Sequence, residues 1–180
     1  MKYVAKFEKV SFNQFKKDFI KTMYNKDMGV FNVECGDEKL TTIYENIKLP
    51  TRATKDSAGN DFVSPITFTL CPSESILIPT GIKVRIDEGW VLKCYPRSGL
   101  GFNFRLQLNN TVAIIDGDYI LSDNEGHIFA KITNDSNENK EVTVNAGDAF
   151  MQGIFVEYGI TYDDECEGIR NGGFGSTSKK

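Results

Sequence analysis

The chain has 180 residues, with 21 Lys and Arg against 25 Asp and Glu, a formal charge of -4. That balance argues against a broad nucleic-acid surface, which needs clustered Lys and Arg, and no apolar run reaches the length of a bilayer span. Glycine (16) and phenylalanine (13) are plentiful and proline (5) is not, a globular composition long enough for one domain over 1–180 to bury its core without staples.

The start, Met1-Lys2-Tyr3-Val4-Ala5-Lys6-Phe7, lacks the apolar core of a signal peptide, so a cytoplasmic protein is expected. Cys35, Cys71, Cys94 and Cys166 lack the short spacings of zinc or redox sites, and His127 is the single histidine. A His/Cys metal centre is therefore not expected. Residues 2–10 alternate as a strand. Ser11 then predicts a helix N-cap, with Gln14 three residues on as its reciprocal partner. Phe12, Phe15, Phe19, Ile20 and Met23 recur at helical spacing and predict a packed stripe. A second helix is expected from Asp37 to Ile47, stopping before Pro50. Residues 11–47 thus form a helical insertion, and 28–36 between the helices are ambiguous.

From Leu49 the pattern changes to short strands with close turns, which predicts an all-β sandwich or barrel rather than βαβ units. Strands are expected over 66–70, 75–78, 82–86, 90–95, 105–108, 112–115, 127–133, 141–144 and 150–157. Polar residues interrupt this pattern five times. Ser57-Ala58-Gly59-Asn60-Asp61-Phe62 sets a carboxylate just before a strand. Tyr95-Pro96-Arg97-Ser98-Gly99-Leu100-Gly101 joins an arginine, a hydroxyl and two glycines. Leu108 to Tyr119 runs β-branched residues into Ile115-Asp116-Gly117-Asp118-Tyr119, where Asp-Gly also signals a tight turn with a core tyrosine behind it. Gly147 to Gln152 opens a strand carrying one amide. Last, Arg170-Asn171-Gly172-Gly173-Phe174-Gly175-Ser176-Thr177-Ser178 sets a phenylalanine amid glycines, as a flap ordering over a ligand would need. Glycines admit close approach of backbone N–H groups to an anion, and arginine binds phosphate in a bidentate way. The second and fifth stretches are therefore candidate phosphate clamps. Each stretch also has a plainer account: turns, an amide meeting a neighbouring backbone group, or an ordinary terminus.

In this order the five stretches resemble the five motifs of the homotrimeric dUTP diphosphatase family, over residues 47–178. The start Phe7-Glu8-Lys9-Val10-Ser11-Phe12, the helical insertion and a longer loop, Leu121 to Glu125, are similar to forms from Gram-positive bacteria and their phages. The resemblance implies a mostly β, distorted jelly-roll (β-clip) subunit, assembled as a homotrimer whose sites lie between subunits. It implies hydrolysis of dUTP to dUMP and diphosphate, with Mg²⁺ on the triphosphate. Asp116 matches the water-activating base, Tyr119 the aromatic against the deoxyribose, and Asn110 the amide that pairs with uracil. Asp61 matches the carboxylate that meets the metal through water. Arg97, Ser98 and Gly99 match the phosphate-holding second motif, and Gln152 the amide near the attacked phosphorus. Arg170, Phe174, Gly175, Ser176 and Thr177 match a C-terminal flap over 168–180. Departures from the family pattern are Asn60 for an aromatic, Ala113 for glycine, Met151 for a small residue, and a tail one residue shorter with Ser178 for glycine.

Three single residues are expected outside the chemistry: His127 at a surface or in loop packing, Trp90 in the core or an interface, and Arg105 in a subunit contact. Two rivals accompany the diphosphatase. A dCTP deaminase on the same scaffold would need a glutamate beside the base, and the first after Asp116 is Glu125. A nucleotide-switched binding protein would use the N-terminal insertion as its partner surface.

Overall fold

The computed structural model describes residues 2–23, 36–166 and 168. Its elements are β1 (Ala5–Lys9), α1 (Phe12–Met23), α2 (Asp37–Asn46), β2 (Thr51–Arg52), β3 (Asn60–Val63), β4 (Phe68–Leu70), β5 (Ser75–Pro79), β6 (Ile82–Ile86), β7 (Trp90–Pro96), α3 (Ser98–Phe104), β8 (Leu106–Leu108), β9 (Ala113–Ile115), a 3-10 helix (Gly117–Leu121), β10 (Phe129–Asn134), β11 (Val142–Val144) and β12 (Ala149–Glu157). The expected mostly β class holds. The sheets are β2-β3-β12-β7-β9, β5-β10-β8, β1-β6 and β4-β11, and the pairings are antiparallel. Among the described residues no helix is long and apolar enough to cross a membrane.

The core follows from strand alternation, which sends successive side chains to opposite faces. Phe62, Leu92, Cys94 and Met151 face inward and are buried, together with Ile76, Ile78, Ile128, Ile132 and Phe150 from neighbouring strands. Burial pushes the Cys94 thiol up to about 12, so it packs as a small apolar group. Met151 sits at a register shift in β12 and belongs to this core, on the face away from Gln152. Its bulk is thereby kept out of the site.

Helix α1 buries Phe15, Phe19 and Met23 as its spacing predicts. Ile20 departs from the expected stripe: it is 43% exposed, because a residue adjacent to Phe19 is turned about 100° around the axis. The cap also differs from expectation. Gln14 N–H donates to Ser11 Oγ at 3.2 Å, but the Gln14 side chain bonds Asp18 instead of reaching back. Glu125 takes the reciprocal place, accepting from the Ser11 N–H at 2.9 Å and from its hydroxyl. A carboxylate 114 residues away thus completes the capping box.

Four local expectations are corrected. Asp61 lies within β3, not before it, because the short β2 pairs with β3 and extends the sheet. Ser98-Gly99-Leu100-Gly101 opens a helix rather than a loop, with Arg97 extended before it as the N-cap. Asp116-Gly117 makes no hairpin: β9 pairs with β7, and the chain enters a 3-10 helix in which Tyr119 N–H donates to the Asp116 carbonyl at 3.1 Å. The core tyrosine expected behind the turn is there, with Tyr119 7% exposed. Finally, of the two places expected for His127, loop packing holds and the surface does not. The residue is fully buried beneath α1, where its ring nitrogens both find partners that the local sequence does not reveal.

Candidate active site

Three of the five motifs meet at one end of the five-stranded sheet. Asp61 of β3 stands opposite Gln152 of β12, and Gln152 opposite Tyr95 of β7. Residues in register across antiparallel strands share a face, so all three side chains project from the face opposite Phe62 and Cys94. Just past β7, Arg97 Nη1 donates to Asp61 Oδ1 at 2.6 Å. The Asp61 side chain is 17% exposed and that of Arg97 36%, so the pair is partly shielded and still reachable. Gln152 Nε2 donates to the Pro96 carbonyl at 3.3 Å, the neighbouring backbone group that the plainer account asked for. A single bond of this kind leaves the amide further donor and acceptor capacity.

Gly59 belongs to this cluster and was not singled out by residue type alone. A Cβ there would lie 2.6 Å from Gln152 Oε1, so only glycine lets the amide sit where it does. The departure at Asn60 is also accounted for: its side chain donates to the Gly153 carbonyl at 3.3 Å, within the sheet. At the start of α3 the Gly101 N–H closes the first turn on the Arg97 carbonyl at 3.0 Å, which by helix geometry leaves the Ser98 and Gly99 N–H groups pointing out of the turn. Both residues are exposed beside Arg97.

The third motif is built elsewhere. Register Leu92↔Ile115 and Cys94↔Ala113 runs β9 back along β7, and continued by one residue it would carry Asp116 to the level of Val91. The Gln152–Tyr95 row is four residues away, about 13 Å at the rise of a strand. Asp116 and Arg97 of one chain therefore do not converge. Asp116 lines a groove of about 520 Å³ with Asp87, Glu88, Trp90, Asp118 and Tyr158. Asn110 lines a different cavity of about 570 Å³ together with Ala113, Phe129 and the α1 residues Asp18, Lys21 and Thr22. Its volume suits a nucleoside-sized ligand.

Asn110 is presented by a strained turn. Thr111 holds φ at 61°, a conformation that β-branched residues rarely adopt, and the Val112 and Thr111 N–H groups donate to the Asn110 and Leu108 carbonyls at 2.6 and 2.8 Å. Ala113, where the family pattern has glycine, sits opposite the small Cys94, which leaves room for its Cβ in the cavity wall. Tyr119 anchors its hydroxyl on the His127 carbonyl at 2.9 Å, and Asn124 donates to the same hydroxyl at 3.1 Å. Trp90 is half-buried with Lys2 over its ring, and Arg105 pairs with Asp135 at 2.9 Å within the chain. Arg170, Phe174, Gly175, Ser176 and Thr177 lie outside the described residues.

A mostly β subunit with an arginine–carboxylate–amide cluster, and apart from it a carboxylate in a groove and an amide beside a separate nucleoside-sized cavity, carries groups of the kinds that hydrolysis of a nucleotide phosphoanhydride uses. Comparison with known proteins makes the class specific. Residues 45–178 match the dUTPase family model. The chain is 40% identical over 144 residues to the deoxyuridine 5'-triphosphate nucleotidohydrolase of Lactococcus lactis subsp. lactis, covering 77% of this chain and 95% of that one. The crystal structure of dUTPase from Streptococcus mutans superposes with a TM-score of 0.56 at 36% identity, over 65% of this chain and 90% of that one. A mutant dUTPase from phage phi11 of S. aureus, described with a structural Mg(II) ion, superposes with a TM-score of 0.55 at 25% identity, over 69% and 92%. The chain belongs to the dUTPase family.

Proposed function

We propose that the protein hydrolyses dUTP to dUMP and diphosphate in the cytoplasm, with Asp116 activating the water that attacks the α-phosphorus. The observation that carries this is the meeting of Asp61, Arg97 and Gln152 across β3, β12 and β7 in a chain of the dUTPase family. Arg97 offers charge to the developing oxyanions, Ser98 and Gly99 offer donors to phosphate oxygens, and Gln152 lies near the attacked phosphorus. Asn110 pairs with the uracil edge, and the Tyr119 ring packs on the deoxyribose where a 2′-hydroxyl would clash. Arg170, Phe174, Gly175, Ser176 and Thr177 match the family's tail motif and on this reading would meet the triphosphate and base.

The 13 Å offset supports a second part of the proposal, a homotrimer in which Asp116 of one copy works with Arg97 and Gln152 of a neighbour. A base and its phosphate donors must lie within hydrogen-bond reach of one reacting centre, which a single chain does not provide. Residues 11–47, the helical insertion of this single domain, also offer a solvent face of Asn13, Lys17, Ile20 and Lys21 to a protein partner.

The donor set fits a metal ion carried on the substrate. Among the described residues no three His, Cys, Asp or Glu side chains gather to hold an ion, and Asp61 is already bonded to Arg97. Magnesium commonly uses one or two carboxylates and keeps waters and phosphate oxygens for the rest. Asp61 would meet Mg²⁺ through such a water, and the ion would offset charge on the triphosphate. The deaminase rival asks for a free glutamate beside the base. Glu125 is instead engaged by Ser11 and Lys83. Diphosphate release from dUTP, dTTP, dCTP and UTP, measured side by side with and without Mg²⁺, tests the proposal. Release from dUTP alone and only with Mg²⁺ is expected, and ammonia release from dCTP would overturn it.

A further inference from the structure

Helix α1 lies before the family-matched region, yet it is bonded to the third motif by a continuous chain of contacts. Asp18 on its buried face sets Oδ2 2.6 Å from His127 Nδ1. The Gly81 N–H donates into His127 Nε2 at 2.8 Å, so the ring proton sits on Nδ1 and is donated to Asp18. Both ring nitrogens are thus fixed, and the imidazole cannot turn without losing a bond. The backbone of the same residue then holds the site: the His127 carbonyl accepts from the Tyr119 hydroxyl at 2.9 Å and from Asn124 Nδ2 at 3.3 Å.

Two further observations point the same way. Asp18, Lys21 and Thr22 share the 570 Å³ cavity with Asn110 and Ala113, so the helix supplies one wall of the space before the base-reading amide. The loop Leu121 to Glu125 leaves and returns where Gly126 crosses Ile120, and its Glu125 grips both the Ser11 cap of α1 and Lys83. Helix and loop are thus clamped together, and Asn124 of that loop donates to the Tyr119 hydroxyl.

We propose that α1 is a positioning strut of the nucleoside site: Asp18, acting through His127, fixes the Tyr119 ring and so sets the discrimination between deoxyribose and ribose. Asp18 and His127 are positioning residues and touch no reacting atom. The proposal rests on the reading of Tyr119 as the sugar-facing residue. The bond chain gives it a specific signature. Severing either end should release the same ring, so the two lesions should not add.

The test compares kcat/KM for dUTP and for UTP in the full chain, in Asp18→Ala, Asp18→Asn and Tyr119→Phe, and in the double variant Asp18→Ala/Tyr119→Phe. Asp18→Ala is expected to reduce the preference for dUTP over UTP about tenfold, chiefly by raising KM for dUTP, as expected when a coupled neighbour is removed. Asp18→Asn should restore most of it, since its amide oxygen still accepts the Nδ1 proton. The double variant should show no more loss than the larger single one. Lys21→Ala removes only an exposed side chain from the cavity wall and is expected to raise KM for dUTP with the thermal midpoint unchanged. Tyr119→Phe breaks the same bond chain at its other end and keeps the proposal testable if Asp18→Ala does not fold: a dUTP-to-UTP ratio within twofold of the full chain's would overturn it. A purely structural Asp18–His127 pair would lower the thermal midpoint and leave the dUTP-to-UTP ratio within twofold, and multiplying single effects would also overturn the strut. A wild-type chain that releases no diphosphate from dUTP would sink the proposed activity itself, a distinct failure.

Discussion

The two halves of the candidate site are held by different physics. Around Asp61 and Gln152 the geometry is the geometry of a sheet: cross-strand register sets the row, alternation sets the face, and a 2.6 Å ion pair to Arg97 fixes the end. Around Asn110, Asp116 and Tyr119 there are turns, a 3-10 helix and a strained Thr111, held by local bonds such as that of the Tyr119 hydroxyl to the His127 carbonyl, with His127 in turn tied to Asp18, 109 residues away. A register is hard to shift, because a one-residue slip would send Phe62 and Met151 to solvent. A turn can be loosened one bond at a time. The first half-site should therefore tolerate damage to the rest of the fold, and the second should report it.

The largest effect separates the halves by subunit. Asp116→Asn removes the proposed base while keeping shape, and turnover should fall about a thousandfold with dUTP binding retained. Arg97→Gln should cost about a hundredfold by removing charge from the phosphate site. Each variant alone is then nearly inactive. Co-refolding equal amounts of the two should restore about a quarter of the wild-type activity, since random mixing pairs an intact Asp116 with a neighbour's intact Arg97 in that fraction of sites. Mixed material no more active than its parents would place both residues in one chain's site and refute the sharing.

Legibility followed the same division. The strands around Gln152 and Tyr95 were readable because burial on one face writes period-2 alternation into the sequence, whereas β3, which carries Asp61, was not among the expected strands because it is only four residues long and follows directly on a Ser-Ala-Gly turn signal. The helix Phe12–Met23 was readable for its aromatic spacing, apart from Ile20. Helix α3 was hidden because glycines and serine at its start carry the signature of a loop, and only tertiary context makes them helical. The burial of His127 left no local trace, since its partners Asp18 and Gly81 lie 109 and 46 residues away. The same holds for the Glu125 cap on Ser11. Sequence spacing records what repeats within an element, whereas bonds that clamp two elements together have no period to read.

Gly126 gives an intermediate test of the turn-built half. Its φ is +71°, and a Cβ there would lie 2.5 Å from the Ile120 Cα and 2.9 Å from the Tyr119 carbonyl oxygen. Gly126→Ala must spread the two ends of the Leu121 to Glu125 loop, and about 2–3 kcal/mol of stability should be lost in urea unfolding. KM for dUTP should rise in the folded fraction, because Tyr119 moves with the loop. The ion pair of Asp61 and Arg97 should be untouched, so affinity for diphosphate alone should not change. An equal loss of diphosphate affinity would mean that the halves are not independent.

The smallest effect is read by pH. Burial raises the cost of charging Glu125, but hydrogen bonds from the Ser11 hydroxyl and N–H and from Lys83 outweigh it and hold the carboxyl at about 2, below its ordinary 4.5. A depressed folded value means that the carboxylate stabilises the fold in full above 4.5, where both states are ionised. Below 4.5 the unfolded chain takes up a proton that the folded chain resists, so the contribution shrinks until pH reaches about 2. Asp18 is lowered as well, burial opposing and the His127 and Gln14 hydrogen bonds prevailing, which adds a loss of the same sign. The wild-type thermal midpoint should thus exceed that of Glu125→Gln at neutral pH, and the gap should narrow as pH falls below 4.5. Because the Glu125 side chain is 33% exposed, solvent screening keeps the gap to a few degrees. A gap that stays constant down to pH 3 would show that Glu125 holds α1 by packing rather than by charge, and the clamp on the turn-built half would then have to lie in Asp18 and His127 alone.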